Sequence, residues 1–186
     1  MWNDPLGPRH ALSLCRHYGR WPATNIANHA SIGQMDCRPK FEIALLAQEI
    51  RPALPWVGVR RICFRHTYLR VTIAIGGATK ATYIDGVPSN GYLTLRLGSA
   101  PYYQFGGEQV IWSSGQSQKH APAALAVLSA AMTFPARRRR YLLAVNNSNS
   151  VARWLLRRAG LRLPRRHAVK LACDPRYPGW LIGVRG

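Results

Sequence analysis

Residues 64–97, FRHTYLRVTIAIGGATKATYIDGVPSNGYLTLRL, decide the fold of this chain. From Arg60 onward hydrophobicity alternates with a period of two. Leu69, Val71, Ile73 and Ile75 share one side, and Phe64, His66, Tyr68, Arg70 and Thr72 share the other. That alternation predicts a strand with His66 off the main apolar face. Gly76 and Gly77 mark a turn, residues 80–85 read as a second strand, residues 86–91 (GVPSNG) as a turn, and residues 92–97 as a third strand. Connections this short leave no room for crossovers. The three strands are therefore expected as antiparallel neighbours, in the order of the His66, Asp85 and Leu95 strands.

Upstream, residues 41–50 lie between Pro39 and Pro52 and read as a helix, with Phe41, Leu45 and Leu46 on its apolar side. Glu42 and Glu49 fall two turns apart on that helix, too far to act as a catalytic pair. Residues 9–38 show no sustained period and are expected to be mostly irregular, with a short helix near residues 11–17. Downstream, residues 109–112 suggest a further strand and residues 113–120 a loop. Residues 122–134 form an Ala/Leu-rich helix whose first-turn proline is tolerated. A strand over residues 141–145 then leads into the polar run Asn146, Asn147, Ser148, Asn149 and Ser150. These side chains can cap the helix that follows, in which Val151, Trp154, Leu155 and Ala159 recur at helical spacing and Gly160 occupies the C-cap. The expected architecture is α+β: an antiparallel sheet of four to six strands against two main helices, spanning residues 39–186 behind an irregular segment 1–38.

With 186 residues and 47% hydrophobic content the chain suffices for one sizeable core. Its charge is unusual, because 26 Lys and Arg face 7 Asp and Glu for a net of +19. Residues 136–186 alone carry 13 Lys and Arg against one acid, Asp174. Arg137, Arg138, Arg139, Arg140, Arg153 and Arg157 are the candidate anion-binding surface, for nucleic acid, anionic lipid or an acidic protein. The scarcity of lysine (Lys40, Lys80, Lys119 and Lys170) makes a compositional preference for arginine the competing explanation. Cys15, Cys37, Cys63 and Cys173 show no close pairing, so no disulfide framework is expected. Cys15, His17, His29 and Cys37 match no common zinc spacing, and neither a metal nor a cofactor is expected. The longest charge-free apolar stretch, residues 121–136, holds two prolines and falls short of the ~20 residues of a membrane span. No secretory signal is recognisable. These features imply a cytoplasmic protein, or one exported by a specialised route.

The Ser148 hydroxyl, at the start of the helix that Gly160 ends, sits where aligned peptide dipoles and backbone N–H groups stabilise an oxyanion. The run NNSNSVARWLL (146–156) follows a histidine on an earlier strand and precedes Pro178, Gly179 and Trp180. This pattern resembles the nucleophile segment of circularly permuted papain-like hydrolases, the group with PPPDE-type isopeptidases, lecithin-retinol-acyltransferase-like enzymes and bacterial toxin amidases. The resemblance spans residues 66–180. It implies an amide or ester hydrolase in which Ser148 stands in the nucleophilic cysteine's place and His66 is the base. Asp85, or Tyr83 on the same strand, would orient the ring, with Asn147 and Asn149 supporting the turn and the oxyanion. Asp4, Pro5, Leu6 and Gly7 resemble the segment that closes the repeat shell of Rhs-type polymorphic toxins. That resemblance implies a toxin or effector domain with a protein or peptide substrate and an acidic immunity partner. Two competing readings are a Ser148 that merely caps its helix and a basic binding module without catalysis. The catalytic reading requires a His66 ring nitrogen within a hydrogen bond, or one rotamer change, of the Ser148 hydroxyl.

Overall fold

The computed structural model describes residues 38–50, 64–102, 107–135, 140–142 and 147–180. Alternation of apolar and polar residues forms β2 (Phe64–Ile75), β3 (Ala78–Ser89) and β4 (Tyr92–Gly98). They join β1 (Lys40–Ile50) and β5 (Gln109–Ser113) in one sheet of order β4-β3-β2-β1-β5, every neighbouring pair antiparallel. Three helices follow: α1 (Ala121–Met132), α2 (Ser148–Arg158) and α3 (Arg165–Cys173). The expected α+β class and the order of the His66, Asp85 and Leu95 strands are found.

Residues 41–50, expected as a helix, are instead strand β1, hydrogen-bonded between β2 and β5. The reason is burial on both faces. Ile43, Leu45 and Ala47 belong to the core beneath the helices, whereas Ala44 and Leu46 pack with Tyr68 on the other side. A strand buried on both faces reads as a continuous apolar run, so its period of two is hidden and a helical spacing can be picked out of it.

A second correction concerns residues 86–91. The chain stays extended through Ser89, and only Asn90 (φ +51°) and Gly91 (φ +77°) make the turn. Pro88 is accommodated because β3 pairs with β2 only as far as Ile84. Beyond that point the edge of β3 facing β2 carries no ladder, and a missing N–H costs nothing.

Helix α1 begins at Ala121 with Pro122 in its first turn and buries Ala124, Val127, Ala130 and Ala131. Helix α2 buries Val151, Ala152, Leu155 and Leu156 against the same sheet face as Leu69, Val71 and Ile84. Each fully buried Val or Leu side chain among these contributes about 1.5–3 kcal/mol, and each Ala methyl about 0.8 kcal/mol. Helix α3 was not expected. Leu171 is its only fully buried side chain, so the sequence around it reads as a solvated charge run. Of the strand expected over residues 141–145, only Tyr141 and Leu142 are described. They are irregular, and the Tyr141 N–H donates to Gly91 O at 2.9 Å. The helix expected near residues 11–17, the Cys15, His17, His29 and Cys37 set, and Arg137, Arg138 and Arg139 lie outside the described residues. Among the described residues no helix is long and apolar enough to cross a membrane.

Candidate active site

The site forms where the β2–β3 ladder ends. Pairing stops at Leu69 and Ile84, so the preceding residues of β2 and the following residues of β3 share no ladder pairing, although each strand stays paired to its outer neighbour. The first turn of α2 is seated at this opening. Asn149 Oδ1 accepts both the Thr67 N–H (3.0 Å) and the Thr67 hydroxyl (2.9 Å), replacing the carbonyl that a continuing β3 would have supplied. On β3 the helix rests on Gly86. A Cβ there would lie 2.7 Å from Val151 Cγ2 and 3.1 Å from Ser148 Cα.

The polar turn is held from below by the Pro178, Gly179 and Trp180 segment. Pro178 O accepts from Asn147 Nδ2 (2.8 Å) and Asn149 Nδ2 (3.0 Å). Gly179 has φ +79°, and a Cβ on it would lie 2.8 Å from Asn147 Nδ2, so both its backbone and the close approach demand glycine. Arg153 Nη1 donates to Trp180 O at 2.6 Å. This guanidinium is half-buried rather than part of an open anion-binding surface. Burial, with the nearby charge of Arg157, lowers its pKa.

The helix cap is not Ser148. Asn147 Oδ1 accepts the Ser150 N–H (3.1 Å), and Ser150 Oγ accepts the Asn147 N–H (2.9 Å), which completes a capping box. Asn147, Asn149 and Ser150 are thus fully engaged. Ser148, at the first helical position and 3% exposed, is the member of the run whose hydroxyl makes no hydrogen bond among the described residues. The N–H groups of Ser148 and Asn149 are likewise without acceptors among the described residues, as first-turn donors are.

His66 and Asp85 meet as expected. His66 Nε2 and Asp85 Oδ1 are 3.0 Å apart, with both side chains buried. Asp85 Oδ2 accepts the Tyr102 N–H at 2.9 Å, which fixes the carboxylate plane. Tyr83, the alternative orienting group, does not hydrogen-bond the ring; it packs on Tyr68 at 6.0 Å. Tyr68 donates to Glu108 Oε2 at 2.7 Å, and burial together with this carboxylate pushes its pKa up, so it remains a donor.

Ser148 and the pair are not hydrogen-bonded to each other. Thr67 and Gly86 face α2, so alternation along β2 and β3 sends His66 and Asp85 out of the other face. The serine and the pair therefore approach one opening from opposite faces of the sheet; the expected direct hydrogen bond is absent, and this placement weighs against the pairing expected from the sequence. Sequence reasoning also missed Gln48, because it lay in the segment read as a helix. Gln48 stands opposite His66 in the ladder, is 5% exposed, and its Oε1 accepts no hydrogen bond among the described residues. A buried carbonyl left unpaired costs about 1–3 kcal/mol. Gln48→Met is accordingly expected to raise the unfolding free energy by about 1 kcal/mol in urea denaturation; an unchanged or lower stability would refute that cost.

Compared with protein-family models, curated proteins and solved structures, the chain matches none.

Proposed function

We propose that this chain is a hydrolase of amide or ester bonds, with Ser148 as nucleophile, His66 as general base and Asp85 orienting the imidazole. The observation that carries the reading is Ser148 itself. The side chains of Asn147, Asn149 and Ser150 are hydrogen-bonded, capping is done by Asn147 and Ser150, and the Ser148 hydroxyl is left over at a helix N-terminus, across the open end of the β2–β3 ladder from a buried His–Asp pair. In the reaction, Ser148 Oγ bonds to the carbonyl carbon while its proton passes to His66. The oxyanion is met by the Ser148 and Asn149 N–H groups, and the C–N or C–O bond breaks as the proton is returned to the leaving group. Water then releases the acyl group by the same path. Asp85 holds Nε2, so Nδ1 is the nitrogen that exchanges the proton. The reading requires the hydroxyl and Nδ1 to meet through the opening between Thr67 and Gly86, where no ladder bond closes the sheet. The resemblance to permuted papain-like hydrolases and to Rhs-type toxin junctions extends the proposal to a toxin or effector domain with a protein or peptide substrate.

A fluorophosphonate reagent tests the nucleophile without knowledge of the substrate. Attack by Ser148 Oγ on phosphorus, with loss of fluoride and transfer of the proton to His66, leaves a stable adduct. The expected result is a single adduct mapped by mass spectrometry to Ser148 and absent from folded Ser148→Ala. No adduct, or one that survives the substitution, overturns the mechanism.

A further inference from the structure

From Gln109 to Cys173 the sequence contains no Asp or Glu. Within that span Arg153 is taken up by Trp180 O, whereas Arg157, Arg158, Arg162, Arg165, Arg166 and Lys170 are all exposed and none forms an ion pair among the described residues; Arg158 lies over the Trp154 ring, 5.9 Å from its centroid, and keeps its charge available. These six run from the last turn of α2 through the connecting loop onto α3, never more than four residues apart.

Their placement is not what stability would select. Arg157 and Arg158 suit the negative end of α2. Arg165 and Arg166, in contrast, occupy the first turn of α3, where the helix dipole disfavours cations and where no side chain caps the helix. On α3 the exposed positions Arg165, Arg166, Val169, Lys170 and Cys173 follow helical spacing and form one face. Six unneutralised cations on one elbow repel one another until an anion is supplied. The character of the surface says which anion. Protein interfaces are centred on apolar or aromatic anchors, and Val169 is the one large hydrophobic side chain strongly exposed between Arg157 and Lys170. Five of the six cations are arginine, whose planar fork pairs with two phosphate oxygens at once.

We propose that the α2–α3 elbow binds nucleic acid through its phosphate backbone, without reading sequence. The attraction is electrostatic, and every phosphate contact releases a condensed counterion.

The test is fluorescence anisotropy of the full chain with a labelled 20-base-pair duplex of mixed sequence, titrated between 50 and 200 mM NaCl. Six phosphate contacts give a log–log salt slope of about −5, or about a thousandfold loss of affinity over that range. Arg165→Gln/Arg166→Gln is expected to make the slope shallower by about 2 and to raise Tm, because it also removes cations from a helix N-terminus. Opposite movements of binding and stability would not arise from a structural role. Lys80→Gln/Lys119→Gln, on exposed cations elsewhere, is the control and should leave the slope unchanged. Equal losses in the two double variants would show that the net charge of +19 acts as a whole and would overturn the assignment. So would polyglutamate of the same charge binding as tightly as the duplex, since that would make the surface a site for acidic protein. Ser148→Ala should bind like wild type, which keeps this result separate from that of the hydrolase test.

Discussion

Ser148→Ala is expected to abolish hydrolysis, or toxicity in a cell-based assay, while changing the unfolding free energy by no more than about 0.5 kcal/mol. The combination is diagnostic because the two roles open to this serine make opposite demands. As the helix cap, its loss would cost about 1 kcal/mol. The cap is Asn147, completed by Ser150, and alanine is a good residue at a first helical position. Asn147→Ala supplies the comparison. It removes the acceptor of the Ser150 N–H and the donor to Pro178 O, both buried or half-buried, and should cost about 1–3 kcal/mol in urea denaturation. Ser148→Cys is expected to keep part of the activity, since a thiol is partly ionised near neutrality and depends less on its base. Wild-type turnover from folded Ser148→Ala would remove Ser148 from the chemistry and leave the His66–Asp85 pair as a buried tie between β2 and β3.

What the sequence disclosed depended on which residue types occupy an element's second face. β2 alternates visibly although residues 66–69 are buried on both faces, because its second face carries polar residues such as His66, Arg70 and Thr72, as β4 carries Arg96. β1 conceals its period because Ala44 and Leu46 are as buried as Ile43 and Leu45. The polar turn before α2 was legible because the chain offers five cap-forming side chains in a row. Which of them caps was not, since that depends on Pro178, Gly179 and Thr67, all remote in sequence. The same limit applies to the site. The proximity of His66 and Asp85 followed from adjacent antiparallel strands. The side of the sheet from which Ser148 arrives depends on where the β2–β3 ladder stops, and no residue pattern marks that point. Arg153 reads as one more exposed cation until Trp180 O is seen beneath it.

Gly86→Ala is expected to damage both the stability and the activity of this protein. Gly86 has no unusual φ; it is glycine because α2 comes down directly on it, and a methyl there would sit 2.7 Å from Val151 Cγ2, 2.9 Å from Val151 Cβ and 3.1 Å from Ser148 Cα. Overpacking of a close-packed interior costs about 1–3 kcal/mol, and the upper end applies because Cβ and Cα atoms yield less readily than a side-chain tip. Relief can come only from lifting the first turn of α2, which strains the bonds of Asn149 to Thr67 and carries Ser148 away from the opening beside His66. Activity is therefore expected to fall further than the lost stability accounts for, since a nucleophile displaced by about 1 Å loses about a hundredfold in rate. Val151→Ala relieves the nearest clash, with Cγ2, and leaves those with the residue 151 Cβ and the Ser148 backbone. In a double-mutant cycle, Gly86→Ala should cost less in the Val151→Ala background than in wild type, with a coupling of about 1 kcal/mol or more in stability. Activity should recover only in part, because the residue 151 Cβ and the Ser148 main chain still meet the added methyl. Strictly additive stabilities would mean that α2 does not rest on Gly86, and the proposed approach of Ser148 to the His66–Asp85 pair would lose its structural support.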